Sequence, residues 1–177
     1  MCVVFYCFFR ISIVEGSSMD NTLANQDKLL LLTGLYTAEC GDIVVVEDAA
    51  TGLDHPIIKR IIAVGGQRVR FTPDAIYVDG VELEEGYVYT DDYENIFGEL
   101  SQYKYSVHPS DALNDIVVEK EDGVYYEILI PEGELFLMGD HRNNSKDSRD
   151  FGTVSEDSII GEAILRIYPF QKIGNIE

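Results

Sequence analysis

The chain has 177 residues, 46% of them hydrophobic and 25% charged, enough to bury a core in one domain with a modest insertion and too few for a multidomain assembly. Its 13 Lys and Arg against 32 Asp and Glu leave a net charge of −19, which excludes the basic face that a nucleic-acid binder needs. The three cysteines and three histidines are scattered without CxxC or HxxxH spacing, so no disulfide framework and no metal site is implied, and no cofactor is expected.

The chain opens on Met1 to Phe9, MCVVFYCFF, which carries no charge. As a helix this run would reach about 14 Å against the ~30 Å of a bilayer core, so it cannot span alone. Arg10 follows the apolar run rather than preceding it, which is not the order of a secretory signal. The segment reads as the remnant of a membrane anchor over residues 1–9, or as a buried first strand running on into RISIVEG.

From Arg10 onward, β signals dominate: ISIV, DIVVV at 42–46, IIKRIIAV at 57–64, RVRF at 68–71, AIYV at 75–78, VYYEILI at 124–130, ELFLM at 134–138 and AILRIY at 163–168. Only Thr22 to Leu32 has the pattern of a helical turn or two. Asp79-Gly80 and Asp122-Gly123 suit two-residue hairpin turns. The expected fold is all-β, a barrel or sandwich core over 10–81 and 131–177. The stretch from Glu82 to Glu121, rich in Tyr, Asp, Glu and Ser, breaks the strand rhythm, and residues 82–130 are expected to form an inserted β-rich subdomain.

Three segments put polar groups where an apolar strand should end or continue. In Val14-Glu15-Gly16-Ser17-Ser18-Met19 a strand runs into Gly and two hydroxyls, either a plain turn or an exposed nucleophile whose own N–H is an oxyanion donor. In Ile57-Ile58-Lys59-Arg60-Ile61-Ile62 two cations interrupt a strand, and strand neighbours point to opposite faces. Either one snorkels while the other is solvated, or one is a desolvated lysine whose pKa falls toward neutrality and makes it a base. The third segment, Gly139 to Gly152, is almost free of apolar residues and mixes charges of both signs, the composition of an ordered polar loop.

Taken in order, these segments resemble the type I signal peptidases, membrane-anchored serine/lysine endopeptidases. The family's Gly-x-Ser-Met-x-Pro-Thr-Leu box is met by Gly16 to Leu23, with Asn21 in place of proline. The Gly-Asp-Ile-Val-Val box is met by Gly41 to Val45 and the Lys-Arg-Ile-Ile box by Lys59 to Ile62, followed by Gly65-Gly66-Gln67 where Pro-Gly-Asp is usual. The Gly-Asp-x-Arg-x-Asn-Ser-x-Asp-Ser-Arg-x-Phe-Gly box is met throughout by Gly139 to Gly152.

The resemblance implies a signal-peptidase-like β core with Ser18 as nucleophile and Lys59 as its general base. It implies that Ser145 holds the lysine amine, that Asp147 and Arg149 form a supporting charged pair, and that Arg60 and Asp140 are further structural charges. Val14, Gly16, Met19, Leu23 and Ile58 become candidates for the substrate-binding surface, the apolar ones as shallow walls for the small residues of an Ala-x-Ala cleavage site. The implied partners are secretory preproteins and membrane lipid, with the catalytic domain on the extracytoplasmic face of the cell membrane. Two rival readings are a self-cleaving serine/lysine protease and a catalytically impaired homologue acting as a membrane-surface binding module. The first would carry an Ala-Gly or Cys-Gly pair before the serine, and none precedes Ser18.

Overall fold

The computed structural model describes residues 8–34, 36–52, 54–72, 75–88, 117–120 and 123–176, with backbone alone at 50, 117–120 and 123–126. The described strands form two antiparallel sheets. The larger contains β1 (Phe9–Ile13), β2 (Lys28–Leu32), β3 (Ile43–Val46), β4 (Ile57–Val64), β10 (Glu134–Met138), β11 (Val154–Ser155) and β12 (Ile159–Tyr168), in the order β1-β2-β12-β3-β4-β10-β11. The smaller has β5 (Arg68–Phe71), β6 (Ile76–Val78), β7 (Val81–Glu82), β8 (Val117–Lys120) and β9 (Gly123–Leu129), in the order β7-β6-β5-β9-β8. The fold is all-β, as its alternating and β-branched runs require. A single turn of α-helix, α1 (Ser148–Phe151), lies in the polar loop.

The eight residues of β4 organise the molecule. Strand β4 pairs with β3 on one side and β10 on the other, and Gly65-Gly66 then turns the chain into the second sheet. A Cβ on Gly65 would meet Gly133 N at 2.8 Å and Pro131 O at 2.9 Å, so this crossing has no room for a proline ring. Ile57 and Ile61 pack with Leu135, Leu137, Phe151 and Val154, while Ile62 packs with Phe71, Phe136 and Met138 in a second cluster. A third cluster gathers Val14, Met19, Leu23, Leu29, Leu31, Ile43 and Val45, with Ile58 against it. Both faces of β4 are therefore covered, and both of its cations are buried.

Two sequence expectations change. Thr22 to Leu32 contains no helix: residues 28–32 form β2, bonded to β1 and β12, because Leu29 and Leu31 alternate inward into the third cluster. The hairpin at Asp79-Gly80 joins β6 to β7 with Val78 opposite Val81, whereas Gly123 is itself in the β8–β9 ladder, opposite Lys120. Residues 121–122, and residues 89–116 within the expected insertion, lie outside the described residues, as do residues 1–7. Strands β8 and β9 extend the sheet begun by β5 to β7. Among the described residues, no helix is long and apolar enough to cross a membrane.

Candidate active site

Lys59 and Arg60 stand side by side on β4, opposite Val44 and Ile43 of β3, with only 3% and 5% of their surfaces exposed. Of the two readings of this pair, the one with a solvated cation fails because the sheet is covered on both faces here. The Lys59 amine lies 2.8 Å from Ser18 Oγ and donates to Ile58 O at 3.0 Å, and no carboxylate comes within ion-pair distance among the described residues. Burial pulls its pKa down from 10.5 to about 8, against the fields of Asp147 and Asp140, which favour the charged form; Arg149 adds to the depression. Arg60 has the opposite fate. Its guanidinium forks onto Asp140 at 2.9 and 2.8 Å and reaches Gly41 O at 2.8 Å. Desolvation opposes its charge, but the hydrogen bond and field of Asp140 override this and raise its pKa. Thr22 Oγ1 donates to the same carboxylate.

The polar loop is ordered by its own side chains. Asp147 caps α1 by accepting from Arg149 N, while Asp150 accepts from Asp147 N in return, a capping box. The Arg149 guanidinium then donates to both Asp147 oxygens at 2.9 Å, and Gly139 N donates to Asp147 at 2.9 Å. Full burial works against the Asp147 charge, but Arg149 and these donors hold its carboxyl below the ordinary range. A Cβ on Gly139 would lie 2.3 Å from Ser145 Oγ and 2.5 Å from Ser18 O, so only glycine lets the loop close on the serine segment. His141 N donates to Ser18 O at 3.0 Å, and Asn144 Nδ2 donates to Ser17 Oγ at 2.7 Å.

The sequence-derived set thus splits. Ser18, Lys59, Arg60, Asp140, Asp147 and Arg149 converge as one charged and hydroxyl network. Ser145 Oγ is buried beside them with no well-formed hydrogen bond; it favours the charged form of Asp147, and the Lys59 amine bonds elsewhere. A cleft of about 460 Å³ is lined by Ser12, Ile13, Glu15, Ser18, Val45, His55, Pro56, Ile57, Ile58, Lys59 and Lys146. Of the apolar wall candidates only Ile58 lines it. Val14, Met19 and Leu23 are 1–3% exposed and belong to the third core cluster, because Val14 turns inward where its neighbours Ile13 and Glu15 face the cleft. Gly16 is exposed outside the lining, and its N–H donates to Asn25 Oδ1 at 3.1 Å. Three further residues went unassigned in the sequence: Arg142, fully buried within the polar loop, and its neighbours Glu85 and Tyr87. Arg142 stood inside a recognisable box; no sequence signal ties the other two to it.

A family model described as signal peptidase, peptidase S26, matches residues 1–168. The chain belongs to this signal peptidase family. Signal peptidase I U of Bacillus subtilis (strain 168) is 34% identical over 173 residues, covering 92% of this chain and 78% of that protein. Signal peptidase I of Streptococcus pneumoniae (serotype 4) is 31% identical over 172 residues, covering 91% and 83%. A crystal structure of a signal peptidase I from Enterococcus faecalis V583 aligns with TM-score 0.47 and 25% identity, over 73% of this chain and 98% of that one. This signal peptidase is accordingly a serine endopeptidase, a hydrolase that removes signal peptides from preproteins.

Proposed function

We propose that Ser18 and Lys59 form the catalytic pair, and that cleavage follows the second small residue of a small-x-small site such as Ala-x-Ala. The observation that carries this reading is the 2.8 Å approach of a carboxylate-free, buried amine to a hydroxyl that lines a cleft. With its pKa near 8 the amine is neutral in an appreciable fraction of molecules at neutral pH, so its lone pair can take the Ser18 proton as Oγ attacks the scissile carbonyl. The Ser18 N–H, which has no partner among the described residues, is the donor for the resulting oxyanion. The ammonium then returns the proton to the departing amine, leaving an acyl-serine. A water, deprotonated by the same amine, releases the acid product and restores Ser18.

Asp147 with Arg149, and Arg60 with Asp140, serve as fixed pairs beneath this site, and Ser145 as the hydroxyl packed between them. Strand β1 is an edge strand whose Ser12 and Ile13 line the cleft, which supports extended, strand-like docking of the substrate. Exposed Ile11 and Ile13 on the same strand, with Phe170 and Ile173, support work at a membrane surface. The removal of signal peptides from exported preproteins supports the extracytoplasmic side of that membrane. Ser18, Lys59, Arg60, Asp140, Ser145, Asp147 and Arg149 all fall outside 82–130, which supports reading that stretch as an insertion on a core of 10–81 and 131–177.

The test is cleavage of a preprotein bearing an Ala-x-Ala site, with the product's new N-terminus mapped. A cut after the second Ala that disappears in Ser18→Ala supports both the reaction and the nucleophile. In the same assay kcat/KM rises about tenfold per pH unit below the lysine pKa and levels off above about 8. A flat profile from pH 5 to 9 refutes the titrating base.

A further inference from the structure

Beyond β7 the chain passes through Leu83 to Val88 before it leaves the described residues, and this short segment is fastened onto the rear of the active site. Leu83 N donates to Ile76 O at 2.8 Å, and Val88 N closes a turn on Glu85 O at 3.0 Å. The Glu85 carboxylate, 2% exposed, pairs with the Arg142 guanidinium, itself fully buried. The Tyr87 ring covers Arg60, with the guanidinium carbon 3.9 Å from the ring centroid, and the Tyr87 hydroxyl turns back to Glu85 at 3.3 Å. The Tyr87 carbonyl accepts from Asn21 Nδ2 at 2.9 Å.

The contacts made by Glu85 and Tyr87 lead toward the reacting groups. Arg142 Nε donates to Gly139 O at 3.0 Å, and Gly139 is the residue packed against Ser18 O. Without a carboxylate a guanidinium so deeply buried would be strongly unfavourable, so Glu85 is what allows Arg142 to stand there. Arg60 is the strand neighbour of Lys59 and the partner of Asp140. Asn21 follows Ser18 by three residues and adopts a φ of 89°, a conformation closed to the proline that the motif has at this position, since the proline ring fixes φ near about −65°. The departure from the motif and the bond to Tyr87 thus belong to one arrangement.

We propose that Glu85 and Tyr87 are positioning residues of the active site, holding Arg142 and Arg60 in place and, through Asn21, the segment that carries Ser18. This rests on Ser18 and Lys59 being the catalytic pair. It makes residues outside every motif of the sequence part of the machinery that aims the nucleophile, and gives the root of the insertion a role in turnover.

Asn21→Gly keeps the left-handed backbone and removes the amide; Tyr87→Leu removes the ring over Arg60. Both are compared with the parent chain in cleavage of a peptide bearing an Ala-x-Ala site, with kcat and KM measured from pH 6 to 10 and folding checked by thermal unfolding. The expected result is a tenfold or greater fall in kcat for Tyr87→Leu and a several-fold fall for Asn21→Gly, each with KM within about twofold of the parent. The midpoint of the Tyr87→Leu profile moves to higher pH, because a loosened Arg60 leaves more of the Asp140 charge facing the Lys59 amine. Parental kcat and an unmoved midpoint in folded variants overturn the proposal and leave the contacts as packing only. Should Tyr87→Leu not fold, Asn21→Gly, a change at one exposed amide, decides alone. If Ser18→Ala cleaves like the parent, the catalytic pair itself is wrong, and the proposal falls with it whatever the other variants show.

Discussion

Lys59 and Arg60 are adjacent on one strand, equally buried, and oppositely treated. Arg60 meets a carboxylate in a two-point fork and is held charged; Lys59 meets two neutral oxygens and is pushed toward neutrality. Burial depth does not separate them, since both are at most 5% exposed. The partner does. A guanidinium that stays protonated whatever its surroundings needs a matched anion when buried, whereas an amine left without one becomes a base. The same strand thus supplies a fixed charge to one face and a titratable group to the other.

The largest break in this comparison is to remove the amine. Lys59→Met lowers kcat/KM by about 10³-fold or more, and Lys59→Arg does the same, because a guanidinium cannot give up its proton. Stability moves the other way. The folded pKa of about 8 lies below the ordinary 10.5, so between these values the unfolded chain binds the extra proton and the fold becomes more stable as pH rises. Below about pH 8 the full penalty remains, roughly 3 kcal/mol at ~1.36 kcal/mol per unit. Lys59→Met is therefore expected to be more stable than the parent at pH 7, by up to roughly that amount less the lost contact with Ser18, and the gain should shrink toward pH 10. Denaturant titrations at the two pH values check it; an inactive variant that is also less stable at pH 7 would show that the amine is structural.

Asp140→Asn tests the other side. It leaves Arg60 charged, buried and short of its anion, a loss of about 3 kcal/mol or more by analogy with other broken buried pairs. The urea midpoint should fall accordingly. Replacing both partners, as in the pair of changes Arg60→Met with Asp140→Leu, should recover much of that stability, since no lone charge is left behind. A single Asp140→Asn change that costs less than about 1 kcal/mol would mean that Thr22 and Gly41 suffice to hold Arg60.

Much of this contrast was legible in the residues. The apolar run around Lys59-Arg60 marked a buried strand, and the ordered boxes brought Ser18, Lys59 and the Asp147–Arg149 pair together before any geometry was known. Period-two alternation gave one buried cation and left the other to solvent, because a strand's own sequence does not record that the polar loop and the Tyr87 segment cover its second face. The Leu run at 29–32 is as compatible with a helix as with a strand, and only its pairing with β1 and β12 decides it. The family resemblance offers Val14, Met19 and Leu23 as walls of the cleft, yet a matching box does not fix which way a side chain turns, and all three turn into the core. Glu85 and Arg142 are 57 positions apart, and nothing local in either segment announces their ion pair.

The smallest expected effect keeps the chemistry of Arg60–Asp140 and changes only its surroundings. On the second sheet Arg68 and Arg70 both pair with Glu127, at 2.7 and 3.1 Å, but the side chain of Arg68 is 53% exposed where that of Arg60 is 7%. Water solvates the Arg68 guanidinium in folded and unfolded chains alike, salt screens the pair, and the long side chain loses freedom on forming it. Arg70 also remains on Glu127 when Arg68 is removed, so the carboxylate is not stranded. Arg68→Ala should therefore change stability by under about 0.5 kcal/mol, and by less still at high salt. If it instead costs as much as Asp140→Asn, the contrast between the two sheets is not one of burial, and the reading of Arg60 as a charge fixed by desolvation and pairing would need to be replaced.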